Sequence, residues 1–300
     1  MNYSHFTELL KKWDVEYFWN FEIKSISYVG IGPIATLLVI PNSEADFLNI
    51  LSYLTLKNEK FKIVANMTNL LFTGDKYDGV IIHIKKLTVY SVAENIVTMN
   101  CGVKFTPTLR SLAGKKLGGL APLYKIPGTL GGMVYSNAGA YGKSVSDFLI
   151  DALVFDAKAQ SLYTLKNDEL QFSYRESVFS KEPFYLISAR LLFERVDYED
   201  EIKKQDEISH RRSASQPTNM RSLGSVFKRC GDTPISKLID NAGLKGARIG
   251  DAEISKKHAG FIVNLGNATA SDYLALIDLI KITLNEKFGI TPETEIEIIK

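Results

Sequence analysis

Five short stretches carry residue types and spacings suited to chemistry. The first, IPGTLGG (126–132) followed by NAGAYG (137–142), crowds glycines together. Without a Cβ, backbone N–H groups approach a phosphate or a flat ring closely, and tight turns between strands use the same residue. No strand is followed by GxGxxG and no phosphate-loop motif with its lysine occurs, so the two commonest nucleotide sites are not indicated. FSYRES (172–177) sets Arg175 between an aromatic ring and a carboxylate, which by itself suits a surface ion pair. SLGSVFKR (222–229) sets Ser225 behind a glycine, either as an exposed hydroxyl able to donate a proton or as a turn residue. No GxSxG elbow surrounds Ser225, so a hydrolase serine is disfavoured. In the fourth stretch, 246–264, His258 alone fits a structural histidine better than a catalytic one. In the fifth, TPETEIEII (291–299), Glu295 and Glu297 lie two apart in a predicted strand and share one face, which also suits a solvated edge.

The elements that must position these residues alternate between strand and helix. Strands are expected at Thr36–Ile40, Phe61–Val64, Val80–Ile84, Ile96–Asn100, Ala152–Phe155, Phe184–Phe193 and Gly260–Asn264. Ser43 opens a helix over 45–54, and Ala65 to Asn69 is a polar turn. Near residue 199 the pattern changes: Asp200–Arg212 reads as a highly charged helix with apolar Ile202 and Ile208. Pro234–Ala242 is amphipathic, ended by Gly243 and Gly246. The last helix has Thr269 as N-cap, Asp272 in its first turn and Gly289 as its stop, with Leu274, Ile277, Ile280 and Leu284 on one face. The pattern predicts an α+β protein with a split first half and a distinct second domain, divided as 1–85, 86–198 and 199–300.

Bulk composition excludes some classes of function. The 300 residues carry a net charge of only +2, which argues against a nucleic-acid partner. The opening MNYSHFTELLKKWD lacks the apolar run of a signal peptide, and no window suggests a membrane span. Cys101 and Cys230 lie far apart without a CxxC or His/Cys cluster, so neither a disulfide framework nor a metal site is expected. A reducing, cytoplasmic setting is expected.

Taken together and in this order, the stretches IPGTLGGMVYSNAGAYG (126–142), FSYRES (172–177), SQPTNMRSLGSVFK (215–228), AGLKGARIGDAEISKKHAGFIVNLGNATASD (242–272) and ETEIEII (293–299) resemble the UDP-N-acetylenolpyruvoylglucosamine reductase family. The resemblance runs over nearly the whole chain from about residue 36. Residues 143–200 show no extra substrate-covering insertion, as in the shorter type of the family. It implies an α+β fold with a two-part FAD-binding domain of the vanillyl-alcohol-oxidase-like (PCMH) type and a C-terminal α+β substrate domain. It also implies non-covalent FAD, NADPH as hydride donor, a UDP-sugar substrate, and reduction of an enolpyruvyl double bond in peptidoglycan-precursor synthesis. Oligomeric state does not follow from it.

Residue roles are carried over position by position. Arg175 matches the arginine that stabilises charge on the substrate carboxylate, Ser225 the proton donor to carbon, and Glu295 the glutamate that assists stabilisation and proton delivery. Cofactor contacts are implied for Asn66, Thr68, Asn69, Lys125, Pro127, Gly128, Thr129, Gly131, Gly132, Asn137 and Gly139. Substrate contacts are implied for Tyr174, Lys228, Arg229, Lys257 and His258.

Departures from the family pattern cluster in the flavin loops. A glycine-rich run such as GGGSN is here Ala65-Asn66-Met67-Thr68-Asn69, and Tyr124 and Lys125 replace a small residue and a glycine. Asn66 tolerates left-handed backbone, whereas Met67 is expected not to. Two alternatives stay open at this point: a divergent relative with a weakened flavin site that binds the UDP-sugar, and another oxidoreductase of the same fold.

Overall fold

The computed structural model describes residues 3–231 and 233–300. The chain divides into two units: residues 1–19, 37–65 and 78–209 form one, and residues 20–36, 66–77 and 210–300 form the other.

In the first unit, the strands Ser161–Lys166, Leu149–Asp156, Phe184–Leu192, Ile96–Asn100 and Tyr90–Ala93 make a five-stranded sheet in that order. Every pairing in it is antiparallel. A four-stranded sheet takes the order Glu16–Glu22, Ile34–Ile40, Lys76–His83, Phe61–Val64, the last pair being parallel. The helix Glu44–Leu56 opens on a capping box, Ser43 with Asp46, and buries Phe47, Ile50, Leu51 and Leu54. These residues join Leu37, Val39, Val80 and Ile82 in one core. The helix Tyr198–Ser215 extends beyond the expected Asp200–Arg212 at both ends, and its Ile208 packs against the first core. Glu201 and Gln205, each 1% exposed, turn inward as well. Glu201 accepts the Gly119 N–H at 3.3 Å, and the Gln205 amide donates to Glu201 at 3.0 Å. Hydrogen bonding seats this stretch together with the apolar contact of Ile208.

The second unit has its own core. Its antiparallel sheet runs Arg221–Ser225, Phe261–Asn264, Ala252–Ile254, Arg248–Ile249. The helix Ala270–Phe288 covers this core with Tyr273, Leu276, Ile277, Ile280 and Leu284. Thr269 and Asp272 form its capping box, and Gly289 ends it in the left-handed conformation. Val29, Ile31 and Leu71 reach this core from distant parts of the sequence. The expected strand Glu295–Ile299 is shorter. Glu297–Ile299 pairs parallel with Leu70–Phe72, while Thr294 bridges antiparallel to Phe227. Glu295 and Glu297 therefore do not share the face of one strand: the chain changes partner between them. Among the described residues, no helix is long and apolar enough to cross a membrane.

His83, at the end of Lys76–His83, is buried with an unpartnered Nδ1. Burial, and secondarily the charge of Lys85, push its pKa down to about 4, against an opposing hydrogen bond with Ala65. Between pH ~6.5 and that value the unfolded chain binds a proton that the folded chain refuses, so stability falls as pH drops through this window, by up to ~3 kcal/mol. Urea unfolding of the wild type should show this loss, and His83→Asn should flatten it. An unchanged acid slope in the variant would assign the loss to other groups.

Candidate active site

In the first unit the glycine run folds as a turn into a short helix, Leu130–Tyr135, with Thr129 at its N-cap. The glycines divide into two kinds. A Cβ on Gly131 would lie 3.0 Å from the Cys101 carbonyl oxygen, and one on Gly139 2.6 Å from that of Lys143, so close backbone packing demands both. A Cβ on Gly128 or Gly132 would meet nothing within 4 Å. Those two border open space. Between them Thr129, 3% exposed, holds a buried hydroxyl without a hydrogen-bond partner among the described residues. A buried orphan of this kind costs about 1–3 kcal/mol and marks a place for a polar ligand. Lys125, two residues before Pro127 and exposed, takes φ +64°, and its ammonium lies 5.8 Å from the Tyr124 ring centroid.

Arg175 sits in a two-residue turn of this unit. Ser173 and Glu176 exchange backbone hydrogen bonds, leaving Tyr174 and Arg175 as the two residues of the bend, with Arg175 at φ +60°. Its guanidinium donates to the Gly139 carbonyl at 3.0 Å and lies 5.1 Å from the Tyr174 ring centroid. Asn137 anchors the turn: its amide donates to the Ser173 carbonyl at 2.9 Å and accepts the Ser146 N–H at 3.3 Å. The Ser177 hydroxyl closes the far side on the Tyr135 carbonyl at 2.6 Å. Asn137, expected as a cofactor contact, thus holds the arginine turn. Sequence offers its residue type but not its facing.

The second unit presents Ser225 at a bulge. Pairing shifts between Ser222 and Ser225, and Gly224 takes φ +76°, which leaves Ser225 paired with Phe261 and half-buried beyond the bulge. Among the described residues no group hydrogen-bonds the Ser225 hydroxyl. Immediately beyond, the chain pairs with the 293–295 segment: Lys228 N–H donates to the Glu293 carbonyl and Glu295 N–H to that of Val226, at 2.9 and 2.8 Å. Glu295 is thereby fixed beside the serine strand.

The Lys228 ammonium bonds the Glu293 carboxylate at 2.7 Å. Lys228 is 18% exposed at its side chain and Glu293 72%, so the pair is worth under ~1 kcal/mol and yields readily to an anionic ligand. Arg229 is exposed. Lys257 donates to the Ser213 carbonyl, and the backbone N–H groups of Lys257 and His258 both reach the Ser255 hydroxyl. His258 Nδ1 accepts the Gly260 N–H at 3.2 Å, placing the imidazole proton on Nε2. Burial lowers its pKa, and its ring meets Phe261 edge-on at 4.9 Å. In the turn before Leu70–Phe72, Met67 is buried at φ +50°: the left-handed bend persists without the glycine, against the expectation for a long side chain. Asn66, Thr68 and Asn69 flank it, half-buried.

Comparison with known proteins places these features in context. Residues 216–299 match the family described as UDP-N-acetylenolpyruvoylglucosamine reductase, C-terminal domain, and residues 35–162 match an FAD binding domain. A UDP-N-acetylenolpyruvoylglucosamine reductase of Caldicellulosiruptor saccharolyticus is 37% identical over 97% of this chain and 94% of its own length. One from Caldanaerobacter subterraneus is 37% identical over 90% and 89%. The crystal structure of the Thermus caldophilus UDP-N-acetylenolpyruvylglucosamine reductase superposes with a TM-score of 0.81 at 27% identity, covering 95% of this chain and 99% of that one.

Proposed function

Because this chain belongs to the UDP-N-acetylenolpyruvoylglucosamine reductase family, we propose that its residues carry out the family's reduction as follows. It is a flavin-dependent oxidoreductase using FAD, and its reaction converts UDP-N-acetylglucosamine enolpyruvate to UDP-N-acetylmuramate for peptidoglycan-precursor synthesis. Residues 1–85 and 86–198 are assigned to the two parts that hold FAD, and 199–300 to the substrate domain. The reaction is assigned to the cytoplasm.

The residues present suit FAD: open space at Gly128 and Gly132 with the orphan Thr129 hydroxyl between them is a cradle for a polar, flat ligand. Pro127, Thr129, Gly128, Gly132, Lys125, Asn66 and Thr68 are assigned to it. FAD, when bound, supplies the hydride that reaches the substrate, with NADPH as its source.

The remaining work falls to this chain. Hydride addition to C3 of the enolpyruvyl group drives charge onto the substrate carboxylate, where the Arg175 guanidinium meets it with two parallel N–H donors. Ser225 gives its proton to C2. Glu295 stabilises the developing charge and assists that proton delivery. Tyr174, Lys228, Arg229, Lys257 and His258 orient the sugar and its phosphates. The uncommitted Ser225 hydroxyl, half-buried beyond the bulge and beside a fixed Glu295, carries this reading.

Purified protein should be yellow and should consume NADPH only when the enolpyruvyl substrate is added. A colourless protein that gains no flavin absorbance on adding FAD would overturn it. Binding of the UDP-sugar without flavin would instead favour a pure sugar-binding role.

A further inference from the structure

The turn that leads into Leu70–Phe72 ends on Asn69, and its hydrogen bonds run to the catalytic segment. The Asn69 side-chain amide donates to the Glu295 carbonyl at 3.1 Å. Its own backbone carbonyl accepts the Glu297 N–H at 2.9 Å. One residue therefore grips the chain on both sides of Ile296, itself buried in the second core. The Glu295 N–H is taken by the Val226 carbonyl at 2.8 Å, so the backbone of Glu295 is pinned between the serine strand and Asn69. The amide must present Nδ2 here, because Oδ1 would set two acceptors face to face. An asparagine side chain has only two rotatable bonds, so this grip fixes the carbonyl closely.

We propose that Asn69 is a positioning residue for Glu295, acting on the proton-delivery half of the reaction rather than on flavin affinity. This rests on the role of Glu295 given under the proposed function. Without the grip, the carbonyl of Glu295 loses its partner at the point where the chain changes from one pairing to the next. A displacement of about 1 Å in a catalytic group can cost on the order of 100-fold in rate.

Asn69→Asp keeps the size and removes the donor, and Asn69→Ala serves if that variant does not fold. Four quantities are measured: the FAD dissociation constant, the rate of flavin reduction by NADPH, the rate of flavin reoxidation by the enolpyruvyl substrate, and amide hydrogen exchange at Glu295 and Glu297. Expected are the first two within about twofold of wild type, reoxidation slowed ~10–100-fold, and exchange accelerated about tenfold or more. Weakened FAD binding in parallel with the lost rate would overturn the proposal in favour of a cofactor contact. Faster exchange with normal reoxidation would reduce Asn69 to a structural role, and unchanged exchange would overturn the grip itself. Failure of the proposed function looks different, since wild-type protein would then not reoxidise with substrate at all.

Discussion

Ser225→Ala should take up FAD and be reduced by NADPH at the wild-type rate, yet form product ~10²–10⁴-fold more slowly, the range expected when a positioned proton donor is lost. The physical ground for separating the two halves is the isolation of this hydroxyl. It has no hydrogen-bond partner among the described residues, and it is half-buried beside a bulge. Deleting it strands no donor or acceptor and opens no cavity, so stability should move by less than ~0.5 kcal/mol. A stopped-flow trace with fast flavin reduction followed by stalled reoxidation is the expected signature. Wild-type reoxidation in the variant would remove Ser225 from the reaction.

Arg175→Lys should lower kcat/KM for the enolpyruvyl substrate ~10²–10³-fold, again with flavin reduction by NADPH preserved. An ammonium offers a point charge where the carboxylate needs a planar fork. Arg175 occupies the left-handed region, a strain of ~1–3 kcal/mol for a residue other than glycine. Its bond to Gly139 and its contact with Tyr174 return roughly 1–2 kcal/mol. Arg175→Gly relieves the first and forfeits the second, so its thermal midpoint should stay near that of wild type while turnover is lost. A large drop in midpoint with proportionate loss of rate would show that the arginine holds the turn rather than the substrate.

Local signals were legible wherever a side chain bonds its own neighbourhood. Ser43, Thr269 with Asp272, and Gly289 mark helix ends through contacts a few residues apart, and the structure forms each of them. Pairings between distant segments left no such trace. Nothing in TPETEIEII tells that Thr294 faces Phe227 while Glu297 faces Leu70, and a period-two reading put Glu295 and Glu297 on one strand. The charged helix hid its polar seats for a related reason: Glu201 and Gln205 are buried because a distant backbone N–H and a carbonyl wait for them. Asn69 and Asn137 show where the site outran the sequence. Both were legible as site residues from the family pattern, but what each amide faces depends on chain returning from more than thirty residues away.

The second unit is gathered from residues 20–36, 66–77 and 210–300, and this has a consequence for how the protein comes into being. The C-terminal stretch of 216–299 can be cut out as a gene fragment, but it would be born without Leu70–Phe72 to pair with and without Val29, Ile31 and Leu71 to fill its core. Each missing apolar side chain forfeits ~1.5–3 kcal/mol of burial, which together rival the whole stability of a small domain. In the intact chain the same arrangement forces one loop of well over a hundred residues, 78–209, to close before this unit is complete, so its assembly should be the slow, late event of folding. Until then Leu70–Phe72 waits without its partner strand, and unpaired backbone of that kind invites pairing with a neighbouring chain.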